Sequence, residues 1–153
     1  MSDVPTRYFE DFEPGKTYPT RSRTITDADH EAFCQLTGYK VPLFLDNAYG
    51  RSRGLPGRIC PSHLIMSFST AMTGDLMGNS VIGLLALDNA KFLKYVRPGD
   101  SLRTEVEVLD KHSTSKDDRG IVIFRDHVYN QDGTEVFRND KTVLMRRRSA
   151  TSA

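Results

Sequence analysis

The sequence has no tryptophan and only two cysteines, Cys34 and Cys60, among its 153 residues. Two thiols cannot build a disulfide framework, and neither lies at the Cys/His spacing of a zinc site, so no metal is expected. No run of 18 or more apolar residues occurs, which leaves no candidate for a membrane-spanning helix. Neither sign of charge dominates: 21 basic residues face 20 acidic ones, for a net charge of +1. No global field therefore points to nucleic acid or to an anionic membrane as a partner. Arg146-Arg147-Arg148 is a local exception and reads as the solvated end of a strand. No apolar stretch follows the opening residues Met1 to Arg7, so no secretory leader is expected, and a cytoplasmic location follows.

What is present reads as one globular domain over residues 1–153, with its core at about 8–147. The opening carries Pro5, Pro14, Gly15 and Pro19, with one short strand expected near Lys16 to Arg23. Thr26-Asp27-Ala28-Asp29 starts a helix: Thr26 can cap free N–H groups, and the early acids suit the positive end of the dipole. Ala28, Ala32 and Leu36 share a face at helical spacing, and Gly38 ends the element. Residues 39–60 are irregular, with a helical turn or two near Asp46 to Arg53. Pro61 to Thr73 is an almost all-round apolar helix that should be buried.

Strand patterns fill the remainder. Val81 to Leu87 is a continuous apolar run, and Lys91 to Val96 alternates loosely and stops at the turn Arg97-Pro98-Gly99-Asp100. Leu102, Thr104, Val106 and Val108 alternate with charged neighbours, as a half-buried strand requires. A polar loop over Lys111 to Gly120 precedes a strand from Ile121 to Asn130, and the Asp132-Gly133 turn leads to its partner, Glu135 to Arg146. The result is an α+β architecture, a curved antiparallel sheet wrapped around one buried central helix. Such a sheet has an open edge, and pairing two copies edge to edge covers it, so a homodimer at least is expected.

Three segments resemble the MaoC-like family of hot-dog-fold (R)-specific enoyl-CoA hydratases and dehydratases. They are Tyr8 to Gly15 followed by Arg23-Thr24-Ile25-Thr26, then Gly57-Arg58-Ile59-Cys60-Pro61-Ser62, then Phe92 to Leu102. The last is the most specific, although its Arg-Pro-Gly-Asp turn supports a fold rather than a chemistry. The resemblance implies a hot-dog fold, an acyl-CoA or related thioester as substrate, lyase chemistry and no cofactor. The family's catalytic motif has the form Thr-Gly-Asp-x-Asn-Pro-x-His-x-Asp. Thr37, Gly38, Pro42 and Asp46 keep its register. Tyr39 then falls at the aspartate, Val41 at the asparagine and Phe44 at the histidine.

Hydration of a 2-enoyl thioester needs a base for the water and an acid for the α-carbon. Phenylalanine transfers no proton, and a tyrosine with an ordinary pKa near 10 is a poor base at neutral pH. By the resemblance, the Ser62 amide polarises the thioester carbonyl in the manner of an oxyanion hole; as a bare sequence feature Ser62 is a helix cap. His63, in the first turn of an apolar helix, is the candidate replacement acid/base with Asp46 or Tyr39, or else a histidine satisfied by a backbone carbonyl. Phe44, Thr70 and Arg58 are candidate substrate-binding residues. Arg51, Arg53, Lys91, Lys94 and Arg97 are possible phosphate ligands or ordinary surface charges. His30 and His112 read as solvated, Cys60 as a small buried residue or a helix-start nucleophile. His127 and Asp126, adjacent on a strand, point to opposite faces and form no dyad. Three functions remain open: a hydratase or dehydratase with a re-made site, a thioesterase, or a non-catalytic thioester-binding or partner subunit.

Overall fold

A computed structural model describes residues 6–149; the first five residues, where no leader is expected, and the last four lie outside the described residues. The strands are β1 (Thr17–Pro19), β2 (Arg23–Thr24), β3 (Val81–Phe92), β4 (Ser101–Ser113), β5 (Arg119–Tyr129) and β6 (Glu135–Arg146). The helices are α1 (Asp27–Thr37), α2 (Pro42–Leu45), α3 (Asn47–Ser52) and α4 (Ser62–Met77). The sheet is antiparallel in the order β1-β4-β5-β6-β3, with β2 also paired to β4. No helix among the described residues is long and apolar enough to cross a membrane.

Local chemistry accounts for the boundaries. Thr26 Oγ1 accepts from the Asp29 amide at 3.0 Å, and Asp29 Oδ2 accepts from the Thr26 amide at 3.0 Å, a reciprocal cap that starts α1. Gly38 ends it at φ 73°, a left-handed conformation that suits glycine. The face that α1 buries is not the one its alanines suggest. His30 and Cys34 are buried and Phe33 half-buried, whereas Ala28 and Ala32 are exposed and Leu36 is 85% exposed. Small apolar residues contribute little burial, and the bulkier stripe goes inward.

The two strand-like stretches expected over 81–96 are replaced by one strand, β3, which ends at Phe92 and leaves 93–96 outside the sheet. Bulges at Val81/Gly83, Leu84/Ala86 and Asp88/Lys91 let it follow β6 without breaking, and Asn89 takes a positive φ of 52° at the last of them. Along β4 and β5 every second side chain is buried: Leu102, Thr104, Val106 and Val108, then Val122, Phe124, Asp126 and Val128. Against this face lies α4, which buries Leu64, Ile65, Ser69, Thr73, Leu76 and Met77. It is not enclosed all round, however. His63, Ser67, Ala71, Gly74 and Asp75 form an exposed stripe, because its small residues present little apolar surface to cover.

The core is divided in two. One apolar cluster holds Phe12, Leu76, Val106, Phe124 and Met145; the other holds Ile25, Leu64, Ile65, Val128 and Phe137. Between them runs a buried polar layer made of Ser69 and Thr73 on α4, Thr104 on β4, Asp126 on β5, and Asn139 and Lys141 on β6. Lys141 Nζ stands 2.8 Å from Asp126 Oδ2 and donates to Thr73 Oγ1 at 2.9 Å. Burial pushes the Asp126 carboxyl up from its ordinary value, and Lys141 opposes that shift.

A buried ion pair adds little over an apolar pair of the same shape, but removing one partner strands the other charge. Lys141→Met is therefore expected to destabilise the protein by about 3–5 kcal/mol in urea titrations. Asp126→Leu combined with Lys141→Met should recover most of that loss.

Candidate functional site

The segment between α1 and α4 is built to place a short turn over the start of α4. Pro42 opens α2, a position where its missing N–H is not needed. Asp46 ends α2 and caps α3, its Oδ1 accepting from the amides of Ala48 at 2.8 Å and Tyr49 at 3.3 Å. Gly50 is required by crowding: a Cβ there would collide with the Gly57 carbonyl. Asn47 Oδ1 accepts from the Arg58 amide at 3.0 Å, and the Ile59 amide donates to the Leu43 carbonyl at 3.2 Å. The Cys60 amide then donates to the Val96 carbonyl at 2.7 Å, so α4 begins beside the end of the β3 segment.

At this junction lies a cavity of about 340 Å³. Leu43, Phe44, Ile65, Phe92 and Leu93 give it apolar walls, and Ser62 and Lys94 contribute polar groups. Ser62 and His63 are the first two residues of α4, so their N–H groups have no intrahelical carbonyl to bond. The helix dipole favours negative charge at this point. The walls are held by aromatic contacts: Phe92 stacks on Phe137 at 4.6 Å, Phe44 meets Tyr39 edge-on at 5.3 Å, and Tyr39 stacks on Phe33 at 6.3 Å.

The candidate residues do not converge. Phe44 and Ser62 line the cavity. Tyr39 and Arg58 line a different cleft of about 340 Å³ behind the loop, with His30 and Cys34. The Asp46 carboxylate is taken up as the α3 cap, and His63 lies exposed on the outer stripe of α4. Thr70 is half-buried further along α4, its carbonyl accepting from Thr73 Oγ1. The Arg58 guanidinium is bound by Asp27 at 2.9 Å and Glu31 at 3.2 Å, which ties the loop to α1. Cys60 is buried, and desolvation pushes its thiol up to about 12, which rules out a ready thiolate nucleophile.

His30 departs from its reading as a solvated residue, and His127 faces as the strand alternation implies. His30 is fully buried rather than solvated, with Nε2 2.6 Å from the Phe44 carbonyl oxygen. The stripe His30, Phe33, Cys34 would have revealed it had bulk outweighed the alanine spacing. His127 points outward, as strand alternation requires, and binds Glu135 through Nδ1 and Glu107 through Nε2, both at 2.9 Å. Two carboxylate acceptors require both ring nitrogens to carry protons. Burial pulls His127 down, but those hydrogen bonds and charges leave its pKa raised. For His30, desolvation dominates and lowers the pKa, with the Phe44 carbonyl opposing.

Residues 11–125 match the family described as MaoC like domain. The chain belongs to that family, the hydratase and dehydratase class of hot-dog domains. It is 28% identical over 150 residues to mesaconyl-CoA hydratase of Cereibacter sphaeroides, covering 95% of this chain but 43% of that protein. It thus spans less than half the length of that relative. It is 33% identical over 143 residues to the uncharacterized protein YdeM of Bacillus subtilis, covering 90% of this chain and 98% of YdeM. Among solved structures, a Mycobacterium tuberculosis protein with a double hot-dog fold superposes with a TM-score of 0.87 at 18% identity, over 98% of this chain and 47% of that one. That likeness bears on the fold alone.

The histidine shifts give opposite pH dependences. The lowered pKa of His30 makes its stability contribution complete above the ordinary histidine value of about 6.5, and the contribution falls as pH drops below it. The raised pKa of His127 makes its contribution complete below about 6.5, and that is lost as pH rises through the folded-state value. In urea midpoints measured from pH 5 to 8, His30→Gln should flatten the acid limb and His127→Gln the alkaline limb.

Proposed function

We propose that the cavity at the start of α4 binds an acyl-CoA-type thioester, its carbonyl oxygen on the Ser62 amide, without hydratase turnover by the family's Asp/His pair. The observation that carries this reading is the chemistry of the cavity wall. Phe44 lines it where the family motif has its proton-transferring histidine, and Leu43, Ile65, Phe92 and Leu93 make most of the remaining surround. A helix-start amide beside an apolar pocket suits a polarised carbonyl on an acyl chain. The polar side chains on that wall, Ser62, Lys94 and Tyr95, include neither the carboxylate nor the imidazole that the family's pair uses for proton transfer.

The second reading, a hydratase with a re-made site, is favoured by the likeness to mesaconyl-CoA hydratase and by His63 standing next to Ser62 on an exposed face. Crotonyl-CoA decides between them. Under the binding reading the protein binds it and leaves the enoyl absorbance unchanged at high protein concentration. Turnover abolished by His63→Ala would establish the second reading instead. Ser62→Pro removes the amide at a helix position that tolerates proline. It is expected to weaken butyryl-CoA binding by about tenfold in calorimetry while the fold persists.

The assembly we propose is a homodimer formed along β3. That strand is twelve residues long and pairs only with β6, leaving its other edge without a partner strand among the described residues. It exposes Val81, Leu84, Leu85, Leu87 and Phe92, Leu85 by 54%. A long apolar edge of this kind is covered by pairing with its own copy about a two-fold axis. Sedimentation should give twice the chain mass of 17.3 kDa, and Leu84→Asp with Leu85→Lys should return the monomer.

A further inference from the structure

The turn that walls the cavity is held by a residue outside it. α2 is a single turn, so its last carbonyls must find partners beyond the ordinary helical ladder. Four successive carbonyls are satisfied, the first two within the turn and the last two from outside it. Val41 accepts from the Phe44 amide at 3.0 Å, Pro42 from the Asp46 amide at 2.9 Å, and Leu43 from the Ile59 amide at 3.2 Å. The fourth, Phe44, accepts from the His30 ring at 2.6 Å. No backbone amide takes this last place; a side chain fourteen residues upstream does.

We propose that His30 is a positioning residue for the acyl pocket: its Nε2–H caps the Phe44 carbonyl and thereby fixes where the Phe44 ring stands in the cavity wall. The proposal rests on the reading of that cavity as an acyl-thioester site. A carbonyl only accepts, so Nε2 must carry the proton. His30 Nδ1 is buried with no hydrogen-bond partner, and the guanidinium of Arg58 lies nearby, balanced by Asp27 and Glu31. A second ring proton would be a buried, unpaired charge, so the ring is neutral and a single tautomer is selected.

The ring is well placed for this task. The reciprocal cap at Thr26 and Asp29 fixes the first turn of α1, and the His30 amide donates to the Thr26 carbonyl at 3.1 Å. Arg58 clamps the returning chain to Asp27 and Glu31, one residue beyond His30 on the same helix. The Phe44 ring in turn sits edge-on to Tyr39, so a displaced carbonyl would disturb two aromatic contacts of the wall.

Three measurements on the full chain test this. Nitrogen chemical shifts of the wild-type His30 ring should report protonated Nε2 and bare Nδ1; the reverse tautomer overturns the proposal. Amide exchange over residues 42–46 should accelerate in His30→Leu and stay slow in His30→Gln, whose side-chain amide restores a donor at the Nε2 position. Butyryl-CoA affinity should fall about tenfold in His30→Leu and stay within about threefold of wild type in His30→Gln. Unaltered binding by His30→Leu, or equal impairment of both variants, overturns it. A wild-type protein that fails to bind butyryl-CoA sinks the acyl-pocket reading instead, and the tautomer and exchange data then decide whether the cap exists. A His30→Leu chain that does not fold leaves the wild-type tautomer and the His30→Gln comparison to decide.

Discussion

A charged layer buried between helix and sheet fixes the geometry on which everything else rests. Lys141 reaches from β6 to both Asp126 on β5 and Thr73 on α4, so three elements share one ammonium. Apolar packing alone would let the helix slip by a turn, about 5.4 Å, at modest expense. Here such a slip would withdraw Thr73 from Lys141 and bring a different side chain to a buried cation. The start of α4, about 16 Å from Thr73 at 1.5 Å per residue, is held at the other end by the Cys60 amide on the Val96 carbonyl. Helix position is thus set by polar contacts at two points and filled in by apolar ones.

Most of the sheet's charge lies away from the cavity that results, whose lining includes Lys94. The outward face of the sheet carries an ionic lattice: Arg125 donates to Asp140 at 2.7 and 2.9 Å, Asn89 donates to the same carboxylate, and His127 joins Glu107 to Glu135 across three strands. Arg125 holds the Asp140 carboxyl below its ordinary range. The far side of the loop between α1 and α4 is polar as well, with Arg58, Glu31 and Lys40. The side facing the cavity is mostly aromatic and aliphatic, with Ser62 at the helix terminus, Lys94 and Tyr95 as its polar residues. That division is the basis of the proposed acyl-thioester binding, and it leaves no carboxylate or imidazole on the wall.

Much of the fold was legible because period-two alternation leaves a plain trace: Leu102 to Val108 and Ile121 to Asn130 are strands with the expected faces inward. The capped start of α1 and the Arg97-Pro98-Gly99-Asp100 turn were equally readable, since both depend on neighbours in sequence. The failures were matters of long-range contact. The inward face of α1 was misjudged because Ala28, Ala32 and Leu36 have the right spacing, whereas burial follows what stands opposite, which is the Phe44 carbonyl. The continuity of β3 through three bulges depends on β6, some distance along the chain. The site was half legible: Ser62 and Phe44 do share a cavity, while His63, Asp46 and Tyr39 diverge. Their directions depend on caps and stacking that spacing does not encode.

The order of the strands along the chain has a bearing on how the protein is made. β3 is synthesised straight after α4, yet among the described residues its one neighbour is β6, the final strand described. Both edges of a long apolar strand therefore stay open until β6 has been made, and the closing contact joins segments about forty residues apart. Pairings of such separation form late, since loop closure precedes any gain from the contact. During that interval a nascent β3 meets other nascent copies on a ribosome cluster with the same surface it turns outward in the finished fold. The gatekeepers it carries are few, Asp88 and Lys91 at the last bulge being the nearest charges, so yield on expression should depend on chain density and temperature more than on final stability.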